Sequence, residues 1–187
     1  MLLDFGRFKG IQDQKDTPSI RLRGTEQSDG DFLLDWASHP EITRNTLGRR
    51  FPSQASSISS WISDSNHGSF PTRVAYIIES EAESCGLAQL DQIDWVSRNA
   101  WLGIWLTPKS RNRGFGRFAV GELLKLATQT LNLRQVRLLV RTDNIRAIGL
   151  YGELGFVNEG VLLDCEYRDG ALTSLALMRR DLKVVSS

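Results

Sequence analysis

Between Leu106 and Phe118 the chain crowds Lys109, Arg111, Arg113 and Arg117 around two glycines, in the run Arg111-Asn112-Arg113-Gly114-Phe115-Gly116-Arg117. Glycines let a backbone come close to a ligand, and a helix opening at such a point presents N–H groups that have no intrahelical acceptor. The helix dipole favours negative charge at the same end, so the combination is a cradle for phosphate. It is a local feature, because 23 Lys plus Arg against 22 Asp plus Glu leave the whole chain at +1. The loop lacks the Gly-Lys-Ser/Thr ending of a Walker A motif. It does fit the Gly-x-Gly-x-x-Ala form of a dinucleotide fingerprint through Gly114, Gly116 and Ala119, which makes an NAD(P)-binding oxidoreductase one alternative. That alternative expects an acid about 20 positions further on, where the sequence has Arg141 and, slightly late, Asp143. Too little chain follows the loop for the further βαβ units of a dinucleotide domain.

Other chemistries have few residues to work with. His39 and His67 are the only histidines, and Cys85 and Cys165, the only cysteines, are far apart. No metal centre or Ser-His-Asp triad is expected, and the cysteines read as reduced, buried thiols.

The elements that must hold the cradle follow from periodicity. Ser19 to Arg23 alternates as a short strand, Asp31 to Ser38 reads as a helix halted by Pro40, and a second helix after Ser53 carries Ile58, Trp61 and Ile62. Three strands follow at Val74 to Glu79, Gly86 to Ile93 and Ala100 to Leu106, with links short enough for antiparallel pairing. Gly116 to Leu131 is strongly amphipathic, with Val120, Leu124, Ala127 and Leu131 in one row. Val136 to Val140 reads as a buried strand, and Asp143 or Asn144 is placed to cap a helix that Gly155 would stop. Phe156 to Leu163 and Leu172 to Met178 form a closing hairpin around Arg168-Asp169-Gly170. The expected fold is α/β, a single domain over residues 19–182 with a mixed, mainly antiparallel sheet of about seven strands and about four helices. Residues 1–18 read as an N-terminal arm and 183–187 as a tail.

Hydrophobic residues at 41% and charged residues at 24% exclude a disordered chain. The neutral balance gives no drive toward nucleic acid or membrane, and no apolar run approaches the ~20 residues of a span. A cytoplasmic protein is the expectation.

Two segments resemble the GNAT superfamily of acetyl-CoA-dependent N-acetyltransferases, and the likeness extends from about Ile20 to Leu182. Arg111-x-x-Gly114-x-Gly116, set after Trp105-Leu106-Thr107-Pro108, is similar to that family's pyrophosphate loop. Asn144-Ile-Arg-Ala147-Ile-Gly-Leu-Tyr151-Gly-Glu-Leu-Gly155-Phe156 is similar to its Asn-x-x-Ala-x-x-Leu-Tyr-x-x-Leu-Gly-Phe segment. Gly103-Ile-Trp105-Leu106 and Tyr167-Arg-Asp-Gly170 look most like the branch of ribosomal-protein alanine and spermidine acetyltransferases. The resemblance implies transfer of an acetyl group from acetyl-CoA to a primary amine, on a small molecule or a protein N-terminus, by direct attack and without a metal.

It also implies roles. Backbone groups of Ile104, Trp105 and Leu106, on a splayed fourth strand, would meet the acetyl carbonyl and pantetheine. Arg111, Asn112, Arg113, Gly114, Phe115, Gly116 and Arg117 would hold the pyrophosphate, with Asn144, Ala147 and Tyr151 beside the cofactor. Tyr151 would protonate the departing thiolate. The family's usual acid on the fourth strand is Trp101 here, which leaves Glu79 and Asp91, a water relay or no base at all. Ser174 stands where that branch commonly has Asp. A catalytically silent acetyl-CoA-binding module is a second alternative, and the resemblance allows a homodimer.

Overall fold

The computed structural model describes residues 19–39, 53–168 and 170–183. The arm at 1–18, the stop at Pro40, Asp169 of the hairpin turn and the tail beyond Lys183 lie outside them. In chain order the elements are β1 (Ile20–Gly24), α1 (Gly30–Ser38), α2 (Ala55–Asp64), β2 (Val74–Ser80), β3 (Glu83–Asp94), β4 (Asn99–Leu106), α3 (Phe115–Gln129), β5 (Gln135–Arg141), α4 (Ile145–Glu153), β6 (Val157–Arg168) and β7 (Ala171–Asp181). The strands make one seven-stranded sheet in the order β1-β2-β3-β4-β5-β7-β6. Every pair is antiparallel except β4 with β5, which α3 connects as a crossover. This is the mixed, mainly antiparallel α/β fold expected from the sequence.

Strand alternation divides the core in two. Tyr76, Ile78, Ala88, Leu90, Leu102, Val136, Leu138 and Met178 face the side covered by α3, where Phe115, Ala119, Val120, Leu123 and Ala127 pack. Ala75, Ile77 and Leu87 face the other side, against Leu33 and Trp36 of α1 and Ile58 and Ile62 of α2. Gly86 lies where β3 meets the end of β4, and a Cβ there would run into the Trp105 carbonyl oxygen. Only glycine lets the two backbones come that close.

Some boundaries differ from expectation. α3 ends at Gln129, before Leu131, and β6 and β7 extend to the hairpin turn. Cys85 is buried as expected, but Cys165 is exposed. Pairing of β6 with β7 slips between Leu162 and Glu166, and Asp164 has φ +48°. That irregularity breaks the strict in-and-out alternation on an edge strand and turns the thiol outward.

Candidate active site

The one parallel pair opens the site. β4 and β5 are in register only from Asn99 to Trp101 and from Gln135 to Arg137, yet β4 runs on to Leu106 and β5 to Arg141. Beyond Trp101 the two strands therefore form a wedge with unpaired backbone on both lips. The Thr107 N–H donates to the Cys85 carbonyl at 2.8 Å, which fixes the alternation of hydrogen bonds along β4. By that alternation Trp105 spends its N–H and C=O on β3, while Ile104 and Leu106 turn theirs into the wedge. On the opposite lip, the Thr142 N–H donates to the Ser174 carbonyl at 3.1 Å, so Leu139 also turns its groups inward, while the Arg141 carbonyl accepts from the Asn144 N–H at 3.0 Å. Of the three β4 residues expected to contact the cofactor, Ile104 and Leu106 present backbone donors and Trp105 does not. Its side chain lies on the opposite face, toward α1.

At the end of β4, Pro108–Ser110 forms a 3-10 turn closed by a 2.7 Å hydrogen bond between the Thr107 and Ser110 hydroxyls. The chain then passes through two left-handed residues, Asn112 (φ +66°) and Gly114 (φ +81°), before α3 begins. Asparagine and glycine are the residues that adopt this conformation most readily. Gly114 is the N-cap of α3, and its carbonyl accepts from the Phe118 N–H at 3.0 Å. The preceding N–H groups of Phe115, Gly116 and Arg117 have no acceptor within the helix. Gly116 sits where three elements meet: a Cβ there would stand 3.3 Å from Leu150 Cδ2 of α4 and 3.6 Å from Leu106 Cδ1 of β4. The anion cradle, the wedge and α4 thus converge at one corner. Among the expected cations, Arg113 and Arg117 engage protein groups there. Arg117 pairs with Glu153, and the Arg113 guanidinium lies 5.1 Å from the Phe115 ring centroid.

Asn144 caps α4, its side-chain oxygen accepting from the Ala147 N–H at 3.2 Å. Gly155 (φ +81°) ends the helix, and the Phe156 N–H returns to the Tyr151 carbonyl at 2.9 Å. The Tyr151 ring is buried edge-on against Phe156, with centroids 5.7 Å apart. Burial pushes its hydroxyl up to about 12. Tyr151 is therefore fully protonated at neutral pH and able to donate.

Both carboxylates considered as bases are held by arginines. Glu79 is buried; Arg21 and Arg23 each donate from Nε to one of its oxygens at 2.7 Å, and Arg23 also grips Asp29. Burial pushes the Glu79 carboxyl up, but the hydrogen bonds and charges of Arg23 and Arg21 outweigh it and hold the group below the ordinary carboxylate value. Asp91 accepts from Arg73 Nε at 3.1 Å and Nη2 at 3.2 Å, beside Trp101 in register. Held low in this way, Glu79 is a poor proton acceptor. Glu79→Gln should therefore lower stability while leaving the turnover of the folded enzyme within about threefold, against the 100-fold or more expected of a lost base. A folded pKa below the unfolded one contributes stability above about pH 4.3, lost as pH falls toward the folded value. Urea midpoints across acid pH should show this slope in the wild type and less of it in the variant.

The resemblance implied a splayed fourth strand, but sequence reasoning missed where the wedge opens, Asn112 as a left-handed residue and the arginine clamps. Only the Asn-x-Gly pattern before α3 could have signalled the second of these. Among the described residues, no three His, Cys, Asp or Glu side chains gather as a metal site would need.

The acetyltransferase (GNAT) domain model matches residues 19–157. An N-acetyltransferase of Bacillus licheniformis, p20, is 29% identical over 170 residues, spanning 88% of this chain and 96% of that one. A spermidine N(1)-acetyltransferase of Vibrio cholerae is 32% identical over 90 residues, 48% of this chain and 52% of that one. Among solved structures, spermidine N-acetyltransferase from Vibrio cholerae with CoA and spermine superposes with a TM-score of 0.79 at 24% identity, covering 87% of this chain and 95% of that one. With the family model matched over most of its length, this chain belongs to the GNAT acetyltransferases and is an acyltransferase that acts on amines.

Proposed function

We propose that acetyl-CoA lies with its pyrophosphate on the N–H groups of Phe115, Gly116 and Arg117 and its pantetheine along the open edge of β4. The Ile104 and Leu106 N–H groups then polarise the acetyl carbonyl, favouring the charge that develops as the amine adds. The neutral amine attacks the thioester carbon, a C–N bond forms and the C–S bond breaks. The amine nitrogen gives its proton to water, and the thiolate takes one from the Tyr151 hydroxyl. No side-chain base enters this sequence, since Glu79 and Asp91 are committed to arginines. The observation that carries the reading is the meeting of cradle, wedge and α4 at Gly116. The dinucleotide alternative needs a doubly wound parallel sheet, whereas this sheet has one parallel pair.

The acceptor is a primary amine of a small molecule or a protein N-terminus, a range that includes the spermidine of the Vibrio cholerae relative. Assembly with further copies belongs to the same reading, supported by a dodecameric form of that relative with a TM-score of 0.71. Calorimetric titration with acetyl-CoA and, separately, NADPH tests the cofactor, and release of free CoA thiol against an amine panel tests the transfer. Acetyl-CoA binding with amine-dependent thiol release is expected. Binding without release on any amine would leave a silent module, and NADPH binding alone would remove the reading.

A further inference from the structure

The acetyl-CoA cradle lies on the α3 side of the sheet, so an amine reaching the wedge from the opposite side meets the face covered by α1 and α2. On that face Trp105 projects from the lip of the wedge. Its ring centroid is 5.7 Å from that of Phe32 and 4.6 Å from that of Trp36, both on α1. Its indole N–H is buried with no hydrogen-bond partner. Three carboxylates of the same side are held by arginines: Asp29 by Arg23, Glu79 by Arg21 and Arg23, and Asp91 by Arg73, while Asp64 of α2 is exposed. Arg73 also lies over Trp61 at 5.3 Å, so the protein's own cation fills a position where an aromatic face and a carboxylate together would hold an ammonium group. Asp31 and Asp35 of α1 are exposed, where pairing with a cation is worth little.

We infer that Trp105 sets acceptor specificity, selecting a primary amine on an aromatic, uncharged body over a polyamine. This rests on the acetyl-transfer reading above. An aromatic body gains from offset or edge contact with the Trp105 and Phe32 rings. A polyamine brings additional ammonium groups, for which this side offers exposed carboxylates on α1 and α2, its Asp29, Glu79 and Asp91 being held by arginines.

The test is the ratio of kcat/KM for 2-phenylethylamine to that for spermidine, read by thiol release on the full chain. Both values come from the same preparation, so the folded fraction cancels. The wild-type ratio should be at least about ten, a size typical of one pocket contact. Trp105→Leu should reduce it at least about fivefold, and Trp105→Phe, which keeps a ring, should restore most of it. A wild-type ratio of one or less, a ratio that Trp105→Leu leaves unchanged, or acetyl-CoA binding with neither amine acetylated would overturn the inference. Failure of acetyl-CoA to bind in calorimetry would instead remove the acetyl-transfer reading beneath it.

Discussion

Tyr151→Phe should lower kcat at least tenfold, and up to the roughly 100-fold typical of losing a positioned acid, while the acetyl-CoA dissociation constant changes less than about twofold. The substitution removes one oxygen from a ring that is otherwise packed against Phe156, so the shape of the core is preserved. Because burial raises the hydroxyl to about 12, any alkaline loss of wild-type activity from this group should be centred there and not at the ordinary tyrosine value near 10. Single-turnover thiol release separates the chemical step from product release. Unchanged turnover would return Tyr151 to the role of a core aromatic.

Loss of acetyl-CoA binding is the second large effect expected, from Gly114→Val. Gly114 has φ +81°, a conformation that costs an ordinary residue ~1–2 kcal/mol and a β-branched one more. The chain can relieve that strain only by rotating the first turn of α3, which re-aims the N–H groups of Phe115, Gly116 and Arg117. A rise of at least tenfold in the dissociation constant is expected, about 1.4 kcal/mol of binding. Gly116→Val should act differently, by pressing on Leu150 and Leu106 and so separating α4 from the end of β4. Gly121→Ala is the control: it lies within α3 with nothing near its would-be Cβ, and should leave binding intact. Calorimetry on the three variants separates the first turn of α3 from the rest of that helix as the source of acetyl-CoA binding.

Much of the fold was legible because its signals are local. Amphipathic spacing from Ala119 to Ala127 marked α3, Asn144 and Gly155 marked the ends of α4, and short links between β2, β3 and β4 dictated antiparallel pairing. The glycine turn into α3 was legible for the same reason, since Gly114, Gly116 and the helix start are adjacent in sequence. Local signals failed at Cys165, where a slip in the β6–β7 register decides exposure. They failed also at Glu79 and Asp91, which sequence could only propose as bases. Arg21 and Glu79 are 58 positions apart, and nothing in either neighbourhood announces the pair.

By itself, then, the sequence determined which elements form, where the anion cradle opens and that Tyr151 and Asn144 share one helix. Tertiary structure alone decided that β4 and β5 part after Trp101, that the Ile104 and Leu106 backbone faces the opening while Trp105 looks the other way, and that arginines claim the nearby carboxylates. The division has a physical cause. Helix periodicity, caps and turns are settled by interactions within a few residues, whereas strand register, side-chain pairing and burial depend on groups that only the folded chain brings together.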